Sequence, residues 1–203
     1  MAELLDLETS FQEIGKIPIA PYILIPINAD LSHEKFSQKI NKLKFPVWLK
    51  LNTSEHKADI GGVAKCNNIE ELIKTHNQFK KKFKQKTFLI QEDAQGEKIL
   101  VGIKSDPTFN KVLALGAGGH FTEILHDVEF RILPLNEKQI LETLEQLKIY
   151  KILKKNQVNI KKLVRIIKQL SDLDIEEADF NPVIVNEKEA VVVDARIALN
   201  NQT

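Results

Sequence analysis

Helical and strand periodicities interleave irregularly along this chain, and that order constrains its fold more than any other feature of the sequence. Near the N-terminus the apolar residues Leu4, Leu7, Phe11 and Ile14 recur every three or four positions, which predicts an amphipathic helix. Later, apolar residues alternate with charged ones within Asp127–Leu133, which predicts a strand there. No unit of roughly 20 to 50 residues repeats, so a solenoid is excluded. We therefore expect an α+β protein with antiparallel hairpins.

Polar residues predict where several helices begin. Ser32 is a candidate N-cap for a helix that bears Phe36, Ile40 and Leu43. Asn68 with Glu71 forms a start that resembles a capping box. Further helices are expected to begin at Asn136, with Gln139 at the third helical position, and at Asn159.

The 203 residues are enough for one domain or for two small lobes. With 43% hydrophobic and 28% charged residues, the chain can fill a core and is not disordered. A lobe boundary is expected near Glu92–Gly96. We divide the chain into an N-terminal helix at residues 1–18, one lobe at 19–92 and a second lobe at 93–203.

The balance of charge excludes several classes of partner. Twenty-nine Lys and Arg residues against 28 Asp and Glu give a net charge of +1, too little for a general nucleic-acid or anionic-membrane binder. The acidic N-terminus has the wrong sign for a targeting peptide, and prolines interrupt the apolar stretch Ile17–Ile27, which is too short to span a bilayer. The single cysteine, Cys66, excludes a disulfide framework. We expect a cytoplasmic protein.

Five of the eight glycines fall in two short clusters, Gly61–Gly62 and Gly116–Gly119. Such loops can cradle a phosphate, because glycine permits positive φ and has no Cβ to block the ligand, but they can equally be ordinary turns. Neither cluster matches a P-loop or a dinucleotide fingerprint. His56, Lys57 and Asp59 come directly before the first cluster, so a cation and an imidazole accompany that loop.

Two histidines lead to different expectations. His76 lies on the apolar face of a predicted helix and is expected in the core. His56 stands in the glycine loop, where an imidazole of near-neutral pKa can accept a phosphoryl group. The lysine run from Lys80 to Lys86 is expected at a solvated helix end, with binding of an acidic partner as the alternative.

The closing hairpin fixes a specific register. If residues 186–189 form a four-residue turn, Asn181 lies opposite Asp194 and Asp179 lies opposite Arg196. Directly opposed side chains share a face with Cβ atoms roughly 5 Å apart, so the Asn181 amide oxygen and the Asp194 carboxylate can converge on one hard cation such as Mg²⁺. A capped turn beginning at Asn181 is the alternative.

Short motifs occur in a fixed order over nearly the whole chain. They are FPVWLK at 45–50, HKADIGGV at 56–63, QE at 91–92 with Glu97, GIKSDP at 102–107, GAGG at 116–119 with Phe121 and Glu123, DVEFR at 127–131, PL at 134–135, DFNP at 179–182 and VDAR at 193–196. In this order they resemble the ATP-grasp β subunit of ADP-forming acyl-CoA (acetate-CoA) synthetases. The resemblance implies an ATP-grasp fold, in which two α+β lobes clamp a nucleotide.

The resemblance also implies roles for individual residues. Lys50 would hold a nucleotide phosphate, the glycine loop would cover it, Gln91–Ala94 would form the adenine hinge, and Glu97 would take the ribose hydroxyls. The nucleotide-binding residues implied in this way are Lys50, Lys57, Gly61, Gly62, Val63, Gln91, Glu92, Asp93, Ala94 and Glu97. The implied Mg²⁺ ligands are Asn181 and Asp194, and the implied catalytic residues are His56, Asp179 and Arg131.

The implied reaction converts acyl-CoA, ADP and phosphate into acid, CoA and ATP. His56 would carry the phosphoryl group as phosphohistidine, Asp179 would orient the imidazole or stabilise its phosphorylated form, and Arg131 would contact phosphate. The resemblance further implies a partner, an α subunit with CoA-binding and acyl-transfer domains, in an α2β2 heterotetramer. A noncatalytic regulatory subunit and a related succinate-CoA-type ligase subunit are the alternatives.

Two segments depart from the family pattern. The stretch Lys50–His56 is about two residues shorter than usual, which bears on the reach of His56. Residues 152–157, ILKKNQ, replace the usual Gly-x-Arg-Gly segment and remove an arginine. We expect that loss to affect docking of the partner or handling of the nucleotide.

Overall fold

The computed structural model describes residues 3–55, 57, 59–83, 87–119 and 127–199. The chain divides into two compact units. The large unit comprises Met1–Leu5, Thr9–Ile19 and Ala94–Thr203, and the small unit comprises Asp6–Glu8 and Ala20–Asp93. The predicted N-terminal helix is present at Leu7–Glu13, but the inclusion of Leu4 is wrong, because Leu4 lies in a short strand that pairs with Ala198. The helix belongs mostly to the large unit.

Strands and helices interleave along the described residues, in agreement with the predicted α+β class. The strands are β1 (Glu3–Leu4), β2 (Tyr22–Pro26), β3 (Val47–Leu51), β4 (Val63–Cys66), β5 (Thr87–Glu92), β6 (Glu97–Asp106), β7 (Asn110–Ala117), β8 (Val128–Ile132), β9 (Glu177–Val185), β10 (Ala190–Val192) and β11 (Arg196–Leu199). The helices are α1 (Leu7–Glu13), α2 (Glu34–Ile40), α3 (Ile69–Lys82), α4 (Glu137–Gln146), α5 (Tyr150–Lys155) and α6 (Ile160–Ser171). Within these residues, no helix is long and apolar enough to cross a bilayer.

Local side-chain chemistry sets where most helices begin. Asn136 and Gln139 form a reciprocal capping box at the start of α4, and the side chains of Asn68 and Asn159 accept hydrogen bonds at the starts of α3 and α6, as the sequence predicts. The predicted cap of α2, Ser32, is wrong. Its hydroxyl donates to Asp30 instead, and His33 caps the helix.

The small unit contains one antiparallel sheet in the order β2-β5-β3-β4. Alternation along β3 places Val47, Leu49 and Leu51 on one face, and all three are fully buried in the core that α3 helps to form. Trp48 and Lys50 lie on the opposite face. The two central strands, β3 and β5, therefore carry polar side chains on the face opposite this core.

The large unit contains a second antiparallel sheet in the order β1-β11-β9-β6-β7-β8, with β10 paired to β9. One face of this sheet carries buried apolar residues of β6 and β7, such as Val101 and Leu115. Helix α4 packs against β7, β8 and α6. Among the described strands β8 ends the sheet, and its Phe130 is 63% exposed.

The predicted register of the closing hairpin is confirmed. The backbone N–H of Asn186 donates to the carbonyl of Glu189, Val183 pairs with Val192, and farther along Asp179 pairs with Arg196. The ladder is interrupted between these pairs, where Pro182 has no N–H to donate. Asn181 and Asp194 therefore lie between two paired segments, next to a backbone hydrogen bond from the N–H of Val193 to the carbonyl of Pro182.

Candidate functional site

A buried lysine marks the small unit. Lys50 on β3 is only 6% exposed, and its Nζ donates a hydrogen bond of 2.7 Å to Oε1 of Gln91 on the adjacent β5. Gln91 is fully buried, and its Nε2 donates to the carbonyl of Ala20 at 3.3 Å. Removing an ammonium from water is costly, so a buried lysine on the polar face of a sheet is suited to receive an anion.

The first glycine cluster lies next to this lysine. Val63 at the start of β4 pairs directly with Lys50, and Gly62 donates its N–H to the carbonyl of Lys57 at 2.6 Å. Gly61 has a positive φ of 65°, and a Cβ on Gly62 would stand 2.5 Å from the Leu51 side chain. Both glycines are therefore required by the loop. The structure brings Lys50, Gln91 and the glycine loop together.

Lys57 is 3% exposed within this loop. A second buried lysine beside a glycine loop strengthens the case for an anion site on this part of the small unit. His56, the predicted phosphoryl carrier, lies outside the described residues, as does Ala58. Its place relative to Lys50 stays a prediction.

The predicted adenine hinge is held firmly by its own side chains. Asp93 accepts hydrogen bonds from Nε1 of Trp48 at 2.7 Å and from Nζ of Lys65 at 2.6 Å, and the Lys65 ammonium lies 5.8 Å from the centre of the Trp48 ring. The Glu92 carboxylate accepts from the backbone of Lys44. These two carboxylates fix the position of the segment. An adenine base bound here would therefore contact the backbone of the segment rather than these side chains. The next residue, Ala94, is half-buried.

The second glycine cluster lies beside the predicted metal ligands of the large unit. The backbone N–H of Gly119 donates to Oδ1 of Asn181 at 2.9 Å. Gly119 has a φ of 68°, and a Cβ on Gly118 would stand 2.9 Å from the Ile99 backbone, so both positions need glycine. The sequence does not predict this contact between the loop and the closing hairpin, because Gly119 and Asn181 are 62 positions apart and leave no local signal.

Lys98 is a neighbour that the sequence reasoning missed. Its carbonyl accepts the N–H of Gly118, and its Cδ lies 3.0 Å from where a Cβ on Gly119 would stand. An exposed lysine thus accompanies the second glycine loop. The only signal in the sequence is its outward position in the alternating strand β6.

Asn181 and Asp194 place two side-chain oxygen groups in the same region of the large unit. Asn181 offers the remaining lone pair of its amide oxygen, and Asp194 has a half-buried carboxylate whose Oδ1 is buried. Across the part of the chain that the structure describes, no group of three or more His, Cys, Asp or Glu residues could hold a metal ion. The residues therefore fit Mg²⁺ as a pair completed by phosphate and water oxygens rather than as a full protein cage.

The predicted catalytic residues of the large unit do not share one face. Asp179 precedes Asn181 by two positions on β9, so both lie on the same face of the sheet, and Asp179 pairs with Arg196. Pairing from Asp179 across β6 and β7 leads to Phe130, which puts the next residue, Arg131, on the opposite face. There Arg131 donates to Gln146 of α4 and to Glu129. The phosphate contact of Arg131 stays a prediction, and in this structure its side chain lies on the opposite face of the sheet from Asp179 and Asn181.

Glu97, the predicted ribose ligand, begins β6 in the large unit. Its Oε1 accepts a hydrogen bond of 2.7 Å from Nδ2 of Asn156. Asn156 ends α5 and belongs to the segment that replaces the usual Gly-x-Arg-Gly motif. The segment 152–157, which differs from the family pattern, therefore contacts the predicted site residue Glu97 directly.

His76 is not a candidate for acid–base chemistry. It is 1% exposed on α3 and packs edge-on against Phe88, as expected for a core histidine. Burial, assisted by the positive charge of Lys80, lowers the pKa of its imidazole to about 4. The ring is therefore neutral at physiological pH and structural in role.

The chain is similar to known proteins of one family over most of its length. The sequence pattern of the ATP-grasp domain family matches residues 15–199. Over 186 residues the chain is 33% identical to the subunit beta of acetate–CoA ligase [ADP-forming] I from Pyrococcus furiosus, which covers 81% of this chain and 78% of the relative.

The chain is also 33% identical over 180 residues to 4-hydroxybutyrate–CoA ligase [ADP-forming] from Nitrosopumilus maritimus, where it covers 78% of this chain and 26% of that longer protein. Among solved structures, acetyl-coenzyme A synthetase 1 from Candidatus Korarchaeum cryptofilum, in complex with coenzyme A and Mg-AMPPCP, superposes with a TM-score of 0.77. That match has 27% identity and covers 96% of this chain and 92% of the other.

Proposed function

The chain belongs to the ATP-grasp family of ADP-forming acyl-CoA synthetase β subunits, and we propose that it is the nucleotide-binding subunit of such an enzyme. The family membership and the α+β ATP-grasp fold expected from the motifs are confirmed. The curated relatives are ADP-forming CoA ligases. The proposed reaction is the conversion of acyl-CoA, ADP and phosphate into acid, CoA and ATP, with the reverse also accessible.

The observation that carries the proposal is the buried ammonium of Lys50 beside the loop Lys57–Gly62. The ammonium would bind nucleotide phosphate oxygens, and the backbone of the loop would cover them. Gln91–Ala94 would offer backbone groups to the adenine, and Glu97, held by Asn156, would accept hydrogen bonds from the ribose hydroxyls. We propose that residues 19–92 and 93–203 both contribute to binding one nucleotide.

Asn181 and Asp194 would hold Mg²⁺ together with the nucleotide phosphates. When bound, this ion neutralises phosphate charge and so favours phosphoryl transfer. The solved relative that contains Mg-AMPPCP supports a divalent ion of this kind. On the protein side, the N–H of Gly119 holds the Asn181 amide with its oxygen fixed in place.

We propose His56 as the phosphoryl carrier. Its imidazole would receive the phosphoryl group from an acyl phosphate, formed from acyl-CoA and phosphate with release of CoA, and the P–N bond would form as the P–O bond to the departing carboxylate breaks. The phosphoryl group would then pass to ADP, whose terminal oxygen forms the new P–O bond as the P–N bond breaks. Asp179 would orient the imidazole or stabilise its phosphorylated form. In the solved structure of the Korarchaeum relative a phosphohistidine segment points towards the nucleotide-binding site, which supports this assignment.

A partner is required by this proposal. The match covers 26% of the longer ligase from N. maritimus, so we propose that acyl transfer and CoA binding reside outside the matched part. We propose an α subunit with those domains, assembled with this chain as an α2β2 heterotetramer in the cytoplasm. The P. furiosus relative is itself designated a subunit beta, which supports a multisubunit enzyme.

Calorimetric titration with Mg·ADP and Mg·ATP tests the nucleotide site, and the expected result is saturable binding of both. Folded protein that binds neither nucleotide contradicts the proposal. Reconstitution with the α subunit then tests activity through ATP formation from acyl-CoA, ADP and phosphate. Binding without turnover in the complex would instead favour a noncatalytic regulatory subunit, and turnover only with succinyl-CoA would favour a succinate-CoA-type ligase.

A further inference from the structure

We propose that the side chain of Gln91 is a positioning group that fixes the ammonium of Lys50 for a nucleotide phosphate, rather than a side-chain contact to the adenine base. This inference rests on the proposed function, because it assumes that Lys50 binds nucleotide phosphate. It changes the role that the motif resemblance implies for Gln91, which places this residue in the adenine hinge.

The geometry supports this role from both ends of the Gln91 amide. Its oxygen accepts from Lys50 Nζ at 2.7 Å, and its nitrogen donates to the carbonyl of Ala20 at 3.3 Å. Because a carbonyl can only accept, the nitrogen must face Ala20, and the oxygen is left facing the ammonium. A reversed amide would place two donors together. The backbone of residue 20 thus fixes the orientation of the group that holds Lys50.

Burial makes this contact specific. Gln91 is fully buried on β5, which pairs with β2 on one side and with β3 on the other. Its side chain therefore cannot swing out to meet a base in solvent without breaking both hydrogen bonds. Lys50 has four flexible side-chain bonds, and a fixed acceptor at its end selects one position of the ammonium before any ligand arrives.

The neutrality of glutamine also matters. An amide oxygen directs one of the three ammonium protons and leaves the full positive charge in place. A carboxylate at the same position would pair with that charge and weaken its attraction for phosphate. Glutamine is therefore suited to orient Lys50 and to preserve its field.

The experiment is a double-mutant cycle measured by calorimetric titration of the full chain. Gln91→Met removes the acceptor at similar volume, Lys50→Met removes the ammonium, and the double variant combines them. Each protein is titrated with adenosine and with Mg·ADP. Gln38→Met makes the same chemical change on the exposed face of α2 in the same unit and serves as the matched control.

We expect Gln91→Met to weaken ADP binding about tenfold, in the range for loss of a hydrogen bond to a charged group, and to leave adenosine binding unchanged. In the Lys50→Met background, Gln91→Met should cause no further loss of ADP affinity. Gln38→Met should bind both ligands as the wild type does. A merely structural role for Gln91 would weaken adenosine and ADP alike.

Three results would overturn the inference: equal weakening of adenosine and ADP, additive losses in the double variant, or full ADP affinity in Gln91→Met. Full ADP affinity in Lys50→Met would instead overturn the role of Lys50 in the proposed function, as would a wild type that binds no nucleotide. Where Gln91→Met does not fold, Gln91→Glu decides. Its carboxylate should weaken ADP binding and leave adenosine binding intact, and unchanged ADP affinity in that variant would contradict the proposal.

Discussion

Acidification should destabilise the small unit through His76. The imidazole is buried against Phe88, and its Nε2 has no hydrogen-bond partner among the described residues. Burial lowers its pKa to about 4, whereas an unfolded chain gives histidine a pKa of about 6.5. Well above pH 6.5 the ring is neutral in both states. As the pH falls through 6.5 the unfolded state binds a proton that the folded state does not bind, so the free energy of unfolding decreases.

The size of the effect follows from the two pKa values. The loss reaches about 2 kcal/mol at pH 5 and approaches about 3 kcal/mol near pH 4. His76→Leu replaces the ring by an apolar side chain of similar volume and removes the titration. Between pH 7 and pH 5 the wild type should therefore lose about 2 kcal/mol more unfolding free energy than this variant.

Urea unfolding at pH 7, 6 and 5, followed by tryptophan fluorescence, measures this difference. Trp48 is the sole tryptophan and lies in the same unit as His76, so the signal reports on the relevant part of the chain. His33→Asn removes an exposed imidazole of the same unit and keeps an acceptor for the start of α2. We expect its pH profile to parallel that of the wild type. Parallel profiles for wild type and His76→Leu would refute the reasoning.

Three further predictions concern the site and the fold. His56→Ala should keep nucleotide affinity and lose turnover in the reconstituted enzyme, and normal turnover would remove the carrier role. Asn181→Ala should weaken ADP binding with Mg²⁺ present by about tenfold and leave binding in EDTA unchanged, whereas equal losses in both titrations would exclude a metal ligand. Asn136→Ala should lower the unfolding free energy of the large unit by about 1 kcal/mol through loss of the capping box, and an unchanged urea midpoint would argue against that cap.

Local chemistry made much of the fold predictable. The caps at Asn68, Asn136 and Asn159 depend on contacts three residues along the chain, and the closing hairpin register depends on one short turn. Ser32 failed as a cap because Asp30, two residues away, captures its hydroxyl. That competition is also local, but the sequence does not say which acceptor wins.

The site was less predictable, because its contacts cross the sheets. The motif resemblance pointed to Lys50 and Gln91, but only the pairing of β3 with β5 joins their side chains over 41 positions. The face on which Arg131 lies depends on the order of four strands, which alternation within β8 alone does not reveal. Asn156 came to light only through its contact with Glu97.

The position of β8 at the end of its sheet affects how the role of Arg131 can be tested. Glu129 and Arg131 are the charged residues that interrupt an otherwise apolar, β-prone run from Val128 to Leu133. Charges of this kind protect an edge strand from pairing with other molecules. Arg131→Ala would remove one of these charges and lengthen the exposed apolar segment, so this variant is expected to aggregate more readily than the wild type. Light scattering of an inactive Arg131→Ala preparation would distinguish aggregation from a loss of catalysis.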